Sequence, residues 1–148
     1  MKIAVCGSMI FAREMQDLKR ILEEKAHSVT LPLFTENYAT LEENEIKRES
    51  VHNKIERDLI RDYFEKIKEH EAIIVLNKTK CGIDNYIGGN TFLEMGFAHV
   101  LKKPIFLYSP IPEMHYRDEI EAMRPIILNG NLDKIVAPIV VRKAAINE

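Results

Sequence analysis

The spacing of apolar residues changes several times along the chain, and each change of period indicates a change between strand and helix. The chain opens with a short apolar run, Ile3 to Cys6, which ends at Gly7-Ser8. The next apolar residues recur every three or four positions, as one face of a helix does: Phe11, Met15, Leu18 and Leu22. The beginning of the chain therefore predicts a strand, a turn and an amphipathic helix.

A second strand and a second long helix follow, separated by a polar stretch. The strand covers residues 28–31 and stops at Pro32. Residues 33–50 are rich in charge and weakly periodic, which predicts a long loop or lid. The helix after them has an apolar face formed by Leu59, Ile60, Tyr63, Phe64 and Ile67.

The remaining elements begin with the continuous run Ala72 to Leu76, which is typical of a strand covered on both faces. A nearly all-apolar helix is predicted from about Thr91 to Leu101, and a strand from Pro104 to Tyr108. A short helix from Arg117 to Met123 and an extended segment from Pro125 to Leu128 complete the pattern. This alternation predicts an α/β fold, a Rossmann-like parallel sheet of about five strands with helices on both faces. Ligands of such sheets bind at the carboxyl ends of the strands.

Length and the end of the chain bear on domain organisation. A chain of 148 residues is typical of one domain, and we expect residues 1–148 to form it. Residues 135–141 are apolar and β-branched, and they fit either an edge strand or a subunit contact. Residues 144–148 are expected to fray.

Composition excludes several classes of protein. Hydrophobic residues make up 46% and charged residues 30% of the chain, which is typical of a globular domain. With 21 basic and 23 acidic residues and a net charge of -2, the chain lacks the clustered positive charge that nucleic-acid binding requires. No apolar run approaches the roughly 18 residues of a membrane helix, and the start lacks the pattern of a signal peptide. We therefore expect a cytoplasmic protein with neither nucleic-acid nor membrane partners.

Cysteine and histidine usage predicts neither a disulfide framework nor a metal site. The two cysteines, Cys6 and Cys81, are far apart, and the histidines show no pairing at metal spacing. We expect Cys6 to be a small buried strand residue and His99, on the apolar helix, to belong to the core.

The first candidate for chemistry is the turn Cys6-Gly7-Ser8 between the first strand and the first helix. Glycine lets a backbone approach a ligand closely, and free N–H groups at a helix start favour an anion or a sugar hydroxyl. The alternative is an ordinary turn in which Ser8 caps the helix.

The second candidate is Glu94, the charged residue among the apolar positions from Phe92 to Ala98. Thr91 and Glu94 fit a T-x-x-E capping box, in which the carboxylate bonds to a backbone N–H. The functional interpretation is a carboxylate that faces a pocket floored by Gly88-Gly89 and acts as a nucleophile.

Taken together, these segments resemble the nucleoside 2-deoxyribosyltransferase superfamily, which includes the 2'-deoxynucleoside 5'-phosphate N-hydrolases. The resemblance covers roughly residues 1–128. It is carried by Cys6-Gly7-Ser8, by a carboxylate-rich helix before the strand Ala72 to Leu76, and by the run Leu93-Glu94-Met95-Gly96-Phe97-Ala98. It implies a flavodoxin-like sheet and a homodimer or higher homo-oligomer whose sites are completed by a neighbouring subunit.

The resemblance also implies an activity, cleavage of the N-glycosidic bond of 2'-deoxynucleosides or their 5'-monophosphates by hydrolysis or transfer. Glu94 would attack the anomeric carbon and form a glycosyl ester while an acid protonates the leaving base. The small molecule would be the partner, and neither a metal nor another cofactor is implied. The alternative is a non-catalytic nucleotide-binding or sensing protein with the same fold.

The acid and the residues that bind substrate have several candidates. The resemblance places an aspartate on the helix before the third strand, where an ungapped count gives Tyr63 and a shift of one residue gives Asp62. Asp84, in the loop that leads to Glu94, is the competing acid. Further candidates for contacts to sugar, base or phosphate are Gly7, Ser8, Asn77, Gly88, Gly89 and Asn90, with Tyr38 and Tyr86 as residues that would stack on a base. Asn90 fits equally a helix cap, and Asn77 a turn.

The residue at position 121 affects whether a 5'-phosphate is expected to bind. The 5'-phosphate hydrolases carry a small hydroxyl residue before Ala-Met on the short helix after the fourth strand, whereas this chain has Glu121-Ala122-Met123. A carboxylate there repels phosphate unless Arg117 or Arg124 compensates. The sequence therefore predicts that unphosphorylated nucleosides are handled at least as well as monophosphates.

Overall fold

Five parallel strands form one sheet in the order β2-β1-β3-β4-β5. The computed structural model describes residues 1–33 and 35–136. Within them the strands are β1 Lys2–Gly7, β2 Ser28–Thr30, β3 Ala72–Leu76, β4 Ile105–Leu107 and β5 Ile126–Ile127. The predicted α/β class and the parallel Rossmann-like sheet are confirmed. The tail segment expected to be an edge strand or subunit contact lies almost wholly outside the described residues, as do residues 144–148.

Strand β3 is the centre of the sheet, and every one of its residues is buried. It pairs in parallel with β1, from Ile3 opposite Ala72 to Gly7 opposite Leu76, and with β4 on its other side. Because successive side chains of a strand point to opposite faces, a strand covered on both sides needs apolar residues at consecutive positions. The continuous Ala-Ile-Ile-Val-Leu run meets that need.

Helices cover both faces of the sheet, as the alternating pattern predicts. On one face lies α1, Ala12–Glu24, preceded by a short 3-10 helix at Met9–Phe11. Its buried residues Met15, Leu18 and Leu22 share a core with Ile3 and Val5. On the other face lie α4, Leu59–Lys68, α5, Gly89–Val100, and α6, Arg117–Ala122. Their buried residues share a second core with the alternate residues of β1, Ala4 and Cys6.

Most of the described part of segment 33–50 is helical, so the predicted long loop is wrong. It contains α2, Thr35–Tyr38, and α3 begins at Glu43 and ends at Arg57. The described part of α3 has no apolar stripe; its first turn is acidic, which suits a helix N-terminus, and Lys47 pairs with Glu43 at 3.4 Å. In its described part, Ile46 joins a small buried cluster with Ala12 and Tyr38.

Helix α5 is not buried all round, which corrects the expectation for His99. His99 is exposed, and the helix also exposes Leu93 at 44% and Val100 at 79%. Burial is restricted to the face that packs on the sheet, which carries Met95 and Ala98. In the described part of the chain, no helix has the length and apolar character needed to cross a membrane.

Candidate active site

A pocket of about 510 Å³ opens at the carboxyl ends of β1 and β3. These neighbouring strands are connected to opposite sides of the sheet, since β1 leads to β2 and β3 leads to β4. That divergence creates the crevice in which open α/β sheets bind ligands. The walls come from the ends of β1 and β2, from α2 and α4, and from the loop and helix start that follow β3. Its volume suits a small organic ligand.

Most of the predicted site residues meet in this pocket. It is lined by Gly7, Ser8, Asp62, Gly88, Gly89, Asn90 and Glu94. Tyr38 and Tyr86, which were expected to contact a base, also line it, together with the apolar residues Leu31, Pro32 and Leu33. Asn77 and Asp84 are not among the lining residues.

Asn77 is held by backbone groups away from the pocket. It is 0% exposed. Its amide nitrogen donates to the carbonyl oxygens of Ser109 at 3.1 Å and Pro110 at 3.0 Å, and its Oδ1 accepts from the Ser109 N–H at 2.8 Å. The side chain thus ties the end of β3 to the segment after β4, which is a structural use of its hydrogen-bonding groups.

Asp84 is exposed in the loop before α5, where its Oδ1 accepts a hydrogen bond from the Thr79 hydroxyl at 3.1 Å. Asp62, the other acid candidate, is also exposed, but it lies on the pocket wall. The position of α4 brings both Asp62 and its neighbour Tyr63 to the pocket. Of the two carboxylates, Asp62 is therefore the one placed beside a bound ligand.

Gly7 is required by packing at the base of the pocket. A Cβ at this position would lie 2.7 Å from Cε of Met15 and 3.0 Å from the carbonyl oxygen of Leu76. A side chain here would displace the flexible end of Met15 and press on the Leu76 carbonyl oxygen, so glycine eases the close approach of β1 to β3 at the pocket.

Glu94 does not cap the helix, so the capping-box interpretation is wrong. Helix α5 begins at Gly89, two residues before the predicted start, and its N-cap is Gly88, with no side-chain cap bond. Glu94 is therefore the sixth residue of the helix, beyond the turn whose N–H groups need capping. Asn90 is likewise inside the helix rather than at its cap.

Glu94 is half-buried at the pocket, and one of its carboxylate oxygens, Oε2, is fully buried. Its Oε2 has no hydrogen-bond partner among the described residues. Burial raises the pKa of Glu94 from 4.5 to about 7, and a hydrogen bond with the Cys6 thiol acts in the opposite direction. A buried carboxylate with an unpartnered oxygen in a cleft is costly for folding and is typical of a functional group.

Tyr63 lies beside this carboxylate with its hydroxyl already engaged. It is buried, and the hydroxyl donates a hydrogen bond to the backbone carbonyl of Val5. Burial raises the pKa of Tyr63 well above its usual value, and the charges of Cys6 and Glu94 add to this effect. Tyr63 therefore remains a neutral phenol that joins α4 to β1 at the pocket.

Lys80 is a pocket residue that the sequence pattern did not reveal. Its Nζ donates to Oγ of Ser8 at 2.9 Å and lies 5.1 Å from the centre of the Tyr86 ring. Ser8 thus makes this contact rather than a side-chain cap bond.

A tight turn presents Lys80 to the pocket. The backbone N–H of Lys80 donates to Ile83 at 3.1 Å, and that of Ile83 donates back at 3.0 Å. Between them Cys81 and Gly82 have φ angles of 52° and 71°, the geometry of a two-residue hairpin turn. In the sequence this turn is a Cys-Gly pair. Because cysteine is not among the residues that usually mark a tight turn, the pair did not reveal the turn or the position of Lys80.

No protein-family model matches the chain, and no curated protein matches it significantly. Among solved structures, it is similar to the CMP N-glycosidase BcmB of Clostridium botulinum, with 17% sequence identity and a TM-score of 0.49. The alignment covers 87% of this chain and 90% of that one. At this level of identity, residue roles do not transfer from one chain to the other.

The buried carboxylate predicts a pH-dependent stability difference between wild type and Glu94→Gln. With a pKa of about 7 in the folded state and 4.5 as its ordinary value, Glu94 holds a proton in the folded protein that the unfolded chain has lost. Its ionisation therefore lowers the free energy of unfolding as pH rises from about 4.5 to 7, by at most about 3 kcal/mol. We expect the melting temperature of Glu94→Gln, relative to wild type, to increase by several degrees between pH 5 and pH 8.

The control is Glu65→Gln, which removes an exposed carboxylate from the same pocket wall. Calorimetry at pH 5, 6, 7 and 8 measures both differences. A difference for Glu94→Gln that stays constant with pH would contradict the raised pKa.

Proposed function

We propose that the chain is an N-glycosyl hydrolase or transferase that cleaves the N-glycosidic bond of 2'-deoxynucleosides or their 5'-monophosphates. The observation that carries this proposal is the Glu94 carboxylate, buried in the wall of a ligand-sized pocket with an unpartnered oxygen. A single-domain assignment for residues 1–148 and a homo-oligomeric state belong to the same proposal.

The composition of the pocket walls supports a nucleoside as the ligand. Apolar and aromatic side chains, Leu31, Pro32 and Tyr38, lie on the side that follows β2. Polar groups, Ser8 and Asn90, lie at the starts of the helices that follow β1 and β3. A flat base suits the first side, where stacking needs no defined hydrogen-bond pattern, and a hydroxylated sugar suits the second.

In the proposed reaction, the ionised Glu94 carboxylate attacks the anomeric carbon of the sugar. The bond between this carbon and the base nitrogen breaks, and its electron pair leaves with the base, which takes a proton from an acid. Asp62 is the carboxyl group proposed for that role, because it is on the pocket wall. Attack of water on the glycosyl ester completes hydrolysis, whereas attack of a second base completes transfer.

Burial of Glu94 serves this chemistry by leaving the carboxylate poorly solvated. A carboxylate with few hydrogen bonds has less solvation to lose on attack than one exposed to water. With a pKa of about 7, the group is ionised in about half of the molecules at neutral pH. The activity is therefore expected to rise with pH through the region around 7.

We propose that Lys80 favours 5'-monophosphates over unphosphorylated nucleosides. Glu121 is exposed on α6 and is not among the described residues that line the pocket. It is therefore not placed to repel a phosphate bound there. Arg117 instead pairs with Glu113 at 2.6 Å. The cation beside Ser8 at the pocket is Lys80. An ammonium next to a hydroxyl and a helix start suits a phosphate.

Glu94→Gln is expected to abolish base release, since an amide does not form the glycosyl ester. The assay incubates the protein with a panel of deoxynucleosides and their 5'-monophosphates and follows free base by chromatography. We expect a loss of at least about a thousandfold in kcat with retained folding. Glu121→Gln, which removes an exposed carboxylate outside the pocket, is the matched control and should release base at the wild-type rate.

Substantial activity of the Glu94→Gln variant would refute the proposed role of Glu94 as the nucleophile. A wild type that binds a monophosphate but releases no base from any member of the panel would favour the alternative, a nucleotide-binding or sensing protein.

Lys80→Gln is expected to lower kcat/KM for a 5'-monophosphate by about tenfold and to leave kcat/KM for the matching nucleoside unchanged, because a charge-assisted hydrogen bond to phosphate is lost. The control is Lys78→Gln, an exposed lysine of the same loop that does not line the pocket. Equal losses on both substrates would show that Lys80 acts on the pocket in general and not on the phosphate.

A further inference from the structure

The Tyr86 ring contacts the Lys80 ammonium and packs on the backbone at the start of α5. Nζ of Lys80 lies over the ring, 5.1 Å from its centre. A Cβ added to Gly88, the N-cap of α5, would lie 3.2 Å from Cε1 of the ring and 3.5 Å from its hydroxyl oxygen. Glycine at this position therefore lets the edge of the ring approach the backbone closely, while a face of the ring meets the cation.

Hydrogen bonds fix the backbone that carries this ring. The N–H of Tyr86 donates to the carbonyl oxygen of Lys78 at 3.0 Å. The carbonyl oxygen of Ile87, the next residue, accepts a hydrogen bond from the Tyr116 hydroxyl, and Ile87 is 1% exposed. Tyr116 is stacked on Phe92 of α5, with the ring centres 4.5 Å apart. The Tyr86 ring is therefore presented by a backbone that is anchored on both sides.

Lys80 gains from a fixed neighbour because its own side chain is flexible. An ammonium on a four-carbon stem loses rotamer freedom when it binds an anion, and that loss weakens binding. Contact with the ring orders the ammonium before a phosphate arrives, so less freedom is lost on binding. The ring and the Ser8 hydroxyl, which lies 2.9 Å from Nζ, are neutral groups. These two contacts therefore orient the ammonium without neutralising its charge.

Given the proposed function, we propose that Tyr86 is a positioning residue whose ring holds the Lys80 ammonium beside Ser8 and thereby sets the preference for a 5'-phosphate. Tyr86 acts through Lys80, and no base stacks on the face of the ring that the ammonium occupies. The attraction comes from the π electrons of the ring. The preference therefore depends on an aromatic side chain at position 86 and not on the hydroxyl group of tyrosine.

A purely structural role for Tyr86 predicts a different result. The ring packs on Gly88, and in that case its loss loosens the loop and weakens every ligand of the pocket. Such an effect does not depend on whether residue 80 is a lysine. Positioning of the ammonium, in contrast, predicts an effect of the ring that disappears when Lys80 is replaced, which a double-mutant cycle measures.

The test combines substitutions at position 86 with Lys80→Gln. Tyr86→Phe keeps the aromatic ring and removes the hydroxyl, whereas Tyr86→Leu removes the ring. The probe is 2-deoxyribose 5-phosphate, which carries the phosphate of the proposed substrates and no base, so its binding requires no turnover. Calorimetry gives its dissociation constant, and NMR spectra of protein labelled with ¹³C at lysine side chains give the chemical shift of the ε-methylene protons of Lys80. Lys80→Gln assigns this signal, and the exposed Lys78 of the same loop is the internal control.

In the wild type we expect the ε-methylene protons of Lys80 to resonate upfield of those of Lys78, because an aromatic ring shields protons held over its face. Tyr86→Phe should keep this upfield shift, and Tyr86→Leu should remove it. We expect Tyr86→Leu to weaken binding of 2-deoxyribose 5-phosphate about fivefold and Tyr86→Phe to weaken it by less than about twofold. In the Lys80→Gln background, Tyr86→Leu should cause no further loss. In base release, Tyr86→Leu should lower kcat/KM more for a 5'-monophosphate than for the matching nucleoside.

A Lys80 signal at the same position in wild type and Tyr86→Leu would overturn the proposal. An equal loss of affinity in the wild-type and Lys80→Gln backgrounds would overturn it too, because Tyr86 would then act on the pocket independently of the lysine. If Tyr86→Leu does not fold, Tyr86→Met takes its place with the same expected results, and an unchanged Lys80 signal there overturns the proposal.

The role of Tyr86 and the proposed activity fail in different ways. A wild type that releases no base but shows the expected shifts and affinities would refute the activity and leave the role of Tyr86 established. A wild type that releases base from nucleosides but does not bind 2-deoxyribose 5-phosphate would refute the roles of Lys80 and Tyr86 and leave the activity intact.

Discussion

Burial of β3 between two strands and two layers of helices is the constraint on which the rest of the structure depends. All five strands run parallel, so their carboxyl ends meet at one edge of the sheet. The chain leaves β1 and β3 towards opposite sides, and the space between them cannot be filled by either connection. The pocket, the glycine at its base and the helix that carries Glu94 all follow from that arrangement.

In this arrangement, the Glu94 carboxylate lowers the stability of the folded protein when it is ionised. Its burial disfavours the ionised form, and its Oε2 has no hydrogen-bond partner among the described residues. Neutral, it is compatible with the core beneath α5; ionised, it is compatible with attack on a bound sugar. A pKa of about 7 leaves both forms populated at neutral pH, and such a shift is typical of buried carboxyl groups at functional sites.

The charged side chains of the pocket lie on different walls. Helix α4 lines the pocket with two carboxylates and one ammonium, Asp62, Glu65 and Lys66, while Lys80 gives the loop after β3 a positive charge. A substrate with an anionic group at one end and a leaving group at the other has a defined orientation in such a field. The tight turn at Cys81-Gly82 keeps that cation in place, because both of its residues adopt left-handed backbone angles that few alternative loop conformations share.

The sequence by itself determined the order of the five strands along the chain, the helices that cover the parallel sheet and several of the pocket residues, because apolar periodicity records which faces are buried. Tertiary structure decided the rest. Helix α3 lacks an apolar stripe over its described part, where Ile46 joins a buried cluster, so no periodicity revealed it. The start of α5 at Gly89 removed Glu94 from the cap, and packing against the sheet brought it to the pocket. Lys80 reached Ser8, far away in sequence, through a turn. Such contacts depend on how distant segments meet, which local patterns do not encode.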